Sequence, residues 1–322
     1  MNVLLTGAFG NVGLSTIKEL SKKNYNIRIF DIENSKNKKI AKDYEGKVEI
    51  IWGDLRNSED VNKAVSGMDV VLHVAAIIPP LADAQPKFAE EVNVGGTSNI
   101  IKAMEIQPQK PRLVYTSSIA IYGDRRKSPL IRTSDPPNPT IDDEYAKQKL
   151  KCEDLIRSSN LKWVILRLTY IVSPNKLQMD PIMFDMPIDT CIEICDTKDV
   201  GLALANSVEN NEIWGETLNI SGGQKCRIIY RDYLNRMFKL FGLGTNFLPS
   251  EAFSEDDFHC GFMDTEKSQN LLQYQRYTLD DYFKEVKKKV KNSRFFNQIF
   301  PLIIRPIAKK HILRKSPYYK GK

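Results

Sequence analysis

Only three histidines occur in the 322 residues, His73, His259 and His311, and none stands in an H-E-x-x-H arrangement. The chain is therefore not expected to bind a metal. The five cysteines, Cys152, Cys191, Cys195, Cys226 and Cys260, are odd in number and form no C-x-x-C pair. They suit a reducing compartment better than a disulfide framework. No stretch approaches 18 consecutive apolar residues, so no membrane span is expected, and with a strand pattern beginning at Asn2 no signal peptide is expected either. These absences make a cytoplasmic location the default expectation.

Acidic residues are missing from one region in particular. From Val286 onward there are twelve Lys or Arg and no Asp or Glu. Twelve cations exceed the whole chain's net charge of +7, so residues 1–285 are acidic by five. The basic character belongs to a tail, not to the body. What the chain does have is enough apolar content, 42%, to bury a full core.

Short β-branched runs alternate with helical spacing through the first half. Strands are expected at Val3–Thr6, Ile27–Asp31, Val48–Trp52, Val70–Val74, Arg112–Ser117 and Trp163–Leu168, with helices near Gly13–Lys22, Ser58–Val65, Ala89–Met104 and Asp142–Arg157. This rhythm predicts an α/β fold, a doubly wound parallel Rossmann sheet carrying a smaller C-terminal substrate lobe. The expected division is 1–172 for the dinucleotide-binding domain, with 193–220 returning to it, 173–290 for the substrate lobe and 291–322 for the tail. A helix from about Thr197 and a strand at Thr217–Ile220 belong to the returning segment.

The run TGAFGNVG, Thr6–Gly13, leaves the first strand with three glycines spaced by three. Glycine tolerates backbone angles that a Cβ blocks and lets the chain approach a ligand. The helix that follows points unpaired N–H groups and the positive end of its dipole outward, a seat for a pyrophosphate. Gly7, Phe9, Gly10, Asn11, Val12 and Gly13 are thus candidate cofactor contacts. Asp31, closing the second strand 18 residues past Gly13, is placed to accept hydrogen bonds from ribose hydroxyls and to repel a 2′-phosphate, favouring NAD over NADP. Asp54 and Leu55 in WGDL are candidates for the adenine end, and Ala75 and Ala76 in HVAA for the nicotinamide-side ribose. His73 reads as a packed histidine before a catalyst.

DEYAKQKL sets Tyr145 and Lys149 four apart, on one face of a helix. A phenol with a pKa of about 10 is a poor base at neutral pH. A neighbouring ammonium, assisted by an oxidised nicotinamide, stabilises the phenolate. Tyr145 is the candidate acid/base, Lys149 its activator and a ribose contact. Ser117 and Ser118 end the fifth strand, Ser118 as the group that orients the substrate oxygen.

With these residues assembled, the sequence resembles the extended short-chain dehydrogenase/reductase family, in its NAD-dependent epimerase/dehydratase group. Besides T-G-x-x-G-x-x-G and the Ser118, Tyr145 and Lys149 set, the similar pieces are NVGGT at Asn93–Thr97, LR at Leu166–Arg167, DTKDV ending at Asp199–Val200 and LNISGG at Leu218–Gly223. They span roughly residues 1–240. The resemblance implies NAD, a small-molecule substrate, Asn93 as a further cofactor-side residue, and a homodimer through the helices near Ala89–Met104 and Asp142–Arg157. It implies an epimerase or oxidoreductase working on a carbinol carbon, most commonly of a nucleotide sugar; a reductase of a lipophilic alcohol or ketone, as in the hydroxysteroid branch, is the alternative. A non-catalytic NAD sensor or scaffold is the rival from another class. Ile119 and Ala120 replace the Asp-Glu pair of the 4,6-dehydratases, so dehydration is not expected. CIEICDTKDV lacks the usual diphosphate-binding arginine, and the usual Arg-Pro and Gly-Pro are here Arg167-Leu168 and Ser173-Pro174.

In the tail, Phe295, Phe296, Ile299, Phe300, Leu302, Ile303 and Ile307 form a near-helical stripe among Lys and Arg, interrupted by Pro301 and Pro306. Such a segment, residues 294–322, can lie on an anionic membrane as a peripheral contact. It can equally dock on the protein's own body or a second subunit. No module for reading nucleic acid accompanies the charge.

Overall fold

Uninterrupted apolar triplets such as Val3-Leu4-Leu5 and Val70-Val71-Leu72 are fully buried, because helices cover both faces of the sheet they build. The computed structural model describes residues 1–320; Gly321 and Lys322, the end of the basic tail, lie outside the described residues. Seven strands form the main sheet: β1 (Asn2–Thr6), β2 (Asn26–Asp31), β3 (Glu49–Trp52), β4 (Val70–His73), β5 (Arg112–Ser118), β6 (Trp163–Leu168) and β7 (Thr217–Ile220). Their order is β3-β2-β1-β4-β5-β6-β7 and every pairing is parallel. The order reverses between β1 and β4, so the crevice beyond their carboxyl ends is where such a sheet receives ligands.

The six strands expected from the first half are present, within a residue or two at their ends. The stretch read as one helix, Ala89–Met104, is three pieces: Pro86–Glu90, a wide π-turn at Glu91–Gly95, and Gly96–Glu105. The extra residue in that turn accompanies the inward placement of Asn93, whose side chain accepts from the Ile77 N–H (2.8 Å) and donates to the Ile77 carbonyl (2.9 Å). Hydrophobic periodicity carries no trace of such a clasp.

Helix Asn11–Leu20, after β1, crosses helix Thr197–Ser207 closely. A Cβ on Gly201 would stand 2.7 Å from the Ser15 backbone, so glycine is what allows the approach. Beyond β6 the chain builds a three-stranded sheet from Tyr170–Val172, Cys191–Asp196 and Arg227–Ile229, and helices Tyr230–Leu240 and Leu279–Lys289 pack around it. This part has its own core, rich in aromatic rings such as Phe184, Tyr230, Tyr233, Phe253 and Phe283. All five cysteines are free. The tail forms helices Lys291–Ile299 and Pro301–Leu313, broken at Pro301 but not at Pro306.

A buried ion pair ties the sheet to helix Glu144–Arg157. Arg167 on β6 donates to Glu153 through Nε (3.0 Å) and Nη2 (2.6 Å), and both side chains are almost fully enclosed. Arg167 also bonds the Tyr122 hydroxyl. Removing one partner strands a buried charge. We therefore expect Arg167→Met to lower unfolding stability by about 3–5 kcal/mol, with the double variant Arg167→Met/Glu153→Gln losing less; urea titration of the three proteins checks both.

Candidate functional site

Gly7 leaves β1 with φ of +66°, and a Cβ there would meet the Ala75 Cα at 2.6 Å. A Cβ on Gly13 would stand 2.3 Å from the Gly7 carbonyl. The turn therefore closes against the loop after β4 and against its own helix only because these side chains are absent. Gly10 stands as the N-cap of helix Asn11–Leu20, with no side-chain cap and no acidic residue in the first turn. The first-turn amides, around Asn11 and Val12, are thus left facing the crevice with a favourable dipole behind them.

Asp31, at the end of β2, holds this turn in place. Its Oδ2 accepts from the Phe9 N–H (2.8 Å), and its Oδ1 accepts from the Ile32 N–H (2.8 Å) and from Asn37 Nδ2 (3.2 Å). Burial pushes its carboxyl above the usual range, against these donors. Leu55 is buried where a Cβ on Gly96 would clash with it, and its carbonyl accepts from Asn99 Nδ2 (2.9 Å). Asp54 turns its carboxylate to Arg56 (2.6 Å), and this hydrogen-bonded pairing holds the carboxyl below its ordinary value.

At the β1/β4 register, Thr6 lies opposite His73. His73 is wholly enclosed, its Nδ1 2.8 Å from Thr6 Oγ1 and its Nε2 3.2 Å from Thr97 Oγ1. Burial first, and then the nearby Lys149, pull its pKa down to about 3, so it stays neutral. It is the packed histidine the sequence suggested. Ala75 and Ala76 follow at the tip of the strand, the Ala75 N–H donating to Thr6 Oγ1 (3.2 Å). Asn93, buried behind them, donates to Gln148 Oε1 (2.8 Å) and so joins the β4 loop to helix Glu144–Arg157.

That helix carries the reactive pair. Lys149 Nζ is buried, donating to the Thr116 carbonyl (2.7 Å) and to the Tyr115 hydroxyl (3.2 Å), and it stands 5.7 Å from the Tyr145 ring centre. Burial draws its pKa down to about 8, which still leaves it mostly cationic at neutral pH. Burial drives the half-buried Tyr145 phenol the other way, upward, opposed by a hydrogen bond from Ser118. Ser118 ends β5 and accepts from the Ala120 N–H (3.1 Å), while Ser117 beside it points into the interior. The structure therefore brings Ser118, Tyr145 and Lys149 to one place at the carboxyl edge of β5. Asp31 and Asp54 lie on the other side of the glycine turn, at the ends of β2 and β3.

Two residues here escaped sequence reading. Asp143 caps the helix, accepting from the Ala146 N–H (2.8 Å), and its other oxygen meets His259 Nδ1 at 2.8 Å. The cap is visible as an Asp two residues before Tyr145. His259 comes from 116 positions away and no local signal announces it.

The depressed pKa of His73 fixes the sign of a pH effect. The unfolded chain binds this proton below pH 6.5 and the folded chain only near pH 3, so stability falls as pH drops through that window. Between pH 7 and 4.5, His73→Gln is expected to lose roughly 3 kcal/mol less than the parent; urea unfolding at the two pH values measures it, and equal losses would disprove a neutral His73.

The model of the 3-beta hydroxysteroid dehydrogenase/isomerase family matches residues 4–167. Mouse (Mus musculus) 3 beta-hydroxysteroid dehydrogenase type 7 is 32% identical over 163 residues, 49% of this chain and 44% of that protein. The N-acetyl-alpha-D-glucosaminyl-diphospho-ditrans,octacis-undecaprenol 4-epimerase of Escherichia coli O157:H7 is 32% identical over 175 residues, 54% of this chain and 48% of the relative. The chain thus spans somewhat less than half the length of these curated relatives. Among solved structures, UDP-glucuronic acid 4-epimerase from Bacillus cereus in complex with NAD superposes with a TM-score of 0.73 at 22% identity, covering 91% of this chain and 99% of that one. The family match takes in the glycine turn, the end of β1, all of β2 to β5 and the Tyr145–Lys149 helix, and the likeness to the extended short-chain dehydrogenase/reductases holds through sequence and fold alike. The chain belongs to the 3-beta hydroxysteroid dehydrogenase/isomerase family.

Proposed function

We propose that the protein is an NAD-dependent enzyme that epimerises or oxidises a carbinol carbon, with a sugar as its substrate. The observation that carries this reading is the convergence of Ser118, Tyr145 and a buried Lys149 beside a glycine turn in which Gly7 and Gly13 leave no room for side chains. The cradle fits a dinucleotide: Gly7, Gly10 and Gly13 would admit the pyrophosphate, Asn11 and Val12 would give it amides, and Asp31 would take the adenosine ribose. Lys149 and the tip residues Ala75 and Ala76 would lie along the second ribose. When bound, the nicotinamide supplies the hydride acceptor and donor.

The chain's own residues then handle the proton. Ser118 holds the substrate oxygen against the Tyr145 hydroxyl. Tyr145 takes the proton as the carbon is oxidised and returns it when the carbonyl is reduced. Burial opposes the phenolate, so the ammonium of Lys149, fixed by the Thr116 carbonyl, is what makes it accessible. Dehydration has no acid at Ile119 or Ala120 to expel water. A homodimer belongs to the same proposal: Ile106 and Leu155, exposed at the ends of helices Gly96–Glu105 and Glu144–Arg157, suit that face.

A second reading, a lipophilic alcohol or ketone as substrate, is favoured by how arginine is used beyond β6. Arg227 donates to the buried Glu193 (2.7 Å), and Arg276 reaches Glu19 (2.9 Å) and Asp199 (3.4 Å). Cations bound up in carboxylates are poor partners for a nucleotide diphosphate. Turnover assays with UDP-sugars and with 3β-hydroxysteroids decide between the two.

Tyr145→Phe is expected to reduce turnover by roughly 10²–10⁴-fold while NAD binding, read by calorimetry, stays within a few-fold. Undiminished turnover in the variant would show that Tyr145 is not the acid/base, whereas NAD binding by the parent with no turnover of either substrate class would make the protein a dinucleotide-binding sensor or scaffold. Asp31→Ala should weaken NAD about tenfold or more and narrow the preference over NADP; equal binding of both cofactors by the parent protein would show that Asp31 does not face the ribose.

A further inference from the structure

Seven of the fifteen large apolar side chains that stand exposed among the described residues fall within the thirteen positions 295–307. They do not arise from a tail that failed to dock. Helix Pro301–Leu313 turns Ile304, Ala308 and Ile312 toward the protein, where the last two join the core beneath and Leu313 is buried in it. Leu302, Ile303 and Ile307 point the opposite way, Leu302 at 90% exposure. Helix Lys291–Ile299 does the same. Asn297 donates to the Phe241 carbonyl (2.7 Å) on the inner side, while Phe295, Phe296 and Ile299 are outside.

The tail is also fastened at its far end. Lys315 donates to the Met179 carbonyl (3.0 Å), Ser316 to the Ala252 carbonyl (2.5 Å) and Tyr318 to Asp185 (2.8 Å). A helix pair held on one side and apolar on the other presents its outer face as a fixed surface. Along the chain that face is flanked by cations with no acidic residue among them: Lys287, Lys288, Lys289, Lys291 and Arg294 before it, Arg305 within it, and Lys309, Lys310 and Arg314 after it. Among the described residues, no helix is long and apolar enough to cross a membrane.

We propose that helices Lys291–Ile299 and Pro301–Leu313 form a docking surface for an anionic lipid bilayer, their outer apolar side chains entering the headgroup boundary and the flanking lysines and arginines meeting lipid phosphates. The charge decides among occupants. A second copy of this chain would set these nine cations against nine more, whereas an anionic bilayer complements them. This inference is independent of the reaction proposed above, because it is tested without turnover.

The experiment is co-sedimentation of the full chain with sucrose-loaded vesicles, either phosphatidylcholine alone or phosphatidylcholine with three-tenths phosphatidylglycerol, in low and high salt. Expected are binding to the anionic vesicles, weaker binding by at least about tenfold to the neutral ones, and weakening by salt. The triple variant Leu302→Glu/Ile303→Glu/Ile307→Glu alters only exposed positions, and should lose at least about tenfold in vesicle affinity while its melting temperature and NAD binding stay those of the parent. The proposal fails if the parent stays in the supernatant with both vesicles, or if the folded variant binds as well as the parent. It fails too if sedimentation velocity shows a dimer of the parent that the variant abolishes while vesicle binding is absent in both.

Discussion

Tyr145, Lys149 and Glu153 make one stripe down the inner side of a single helix, and the buried pairing of Glu153 with Arg167 fixes that stripe against the sheet. Three residues at intervals of four present a phenol, an ammonium and a carboxylate in succession. Were the helix free to rotate by a fraction of a turn, Lys149 would leave the Thr116 carbonyl and its charge would have no enclosed partner. A buried bidentate pair costs desolvation that its own attraction barely offsets, but it tolerates very little displacement. Its value here is orientation, two turns of helix away from the phenol it serves. Asp143, capping the same helix and meeting His259, fixes the opposite end.

The second constraint is steric. β1 and β4 part at Thr6 and His73, and the crevice between them exists because Gly7 approaches Ala75 with no side chain intervening. The hydroxyl of Thr6 serves His73 on one side and the Ala75 N–H on the other, so strand pairing and loop position are set by the same atom. Lysine and histidine, both buried here, respond alike to the lack of water: each is pulled toward its neutral form, His73 completely at physiological pH and Lys149 only in part. What separates them is chiefly where each starts, a lysine ammonium titrating far above an imidazole, and Lys149 has besides an acceptor in the Thr116 carbonyl.

How much of this could be read in the residues follows from distance along the chain. The glycine turn, the strand before it and the Tyr145–Lys149 spacing are local, and each was legible because its physics acts within one or two turns. Glu153–Arg167 and Asp143–His259 join residues 14 and 116 positions apart, and a charged residue on a predicted helix gives no sign of whether it faces water or a partner. The π-turn at Glu91–Gly95 was hidden for a related reason, since it answers to the Ile77 backbone. Asp31 was legible as a position but not as a load: its carboxylate supports the Phe9 N–H. In the tail the apolar pattern was plain, while its direction was not. Ile304 and Ile303 are the same residue to any periodicity argument, and only packing tells which one turns inward.

The family match ends at residue 167, at the strand that closes around the reactive helix. What lies before it must satisfy a dinucleotide, whose shape does not vary, and the tolerances there are those of Gly7 against Ala75. What lies after it is the part in which the proposal places the substrate. In that part Glu193, wholly buried, collects the Gly223 N–H, the Met263 N–H and Arg227 Nε, making Cys191–Asp196 a rigid inner strand. The same strand lacks the arginine that the resemblance would place before Asp199. Rigidity there uses a cation of the kind a sugar diphosphate would pair with, since Arg227 is already committed to Glu193.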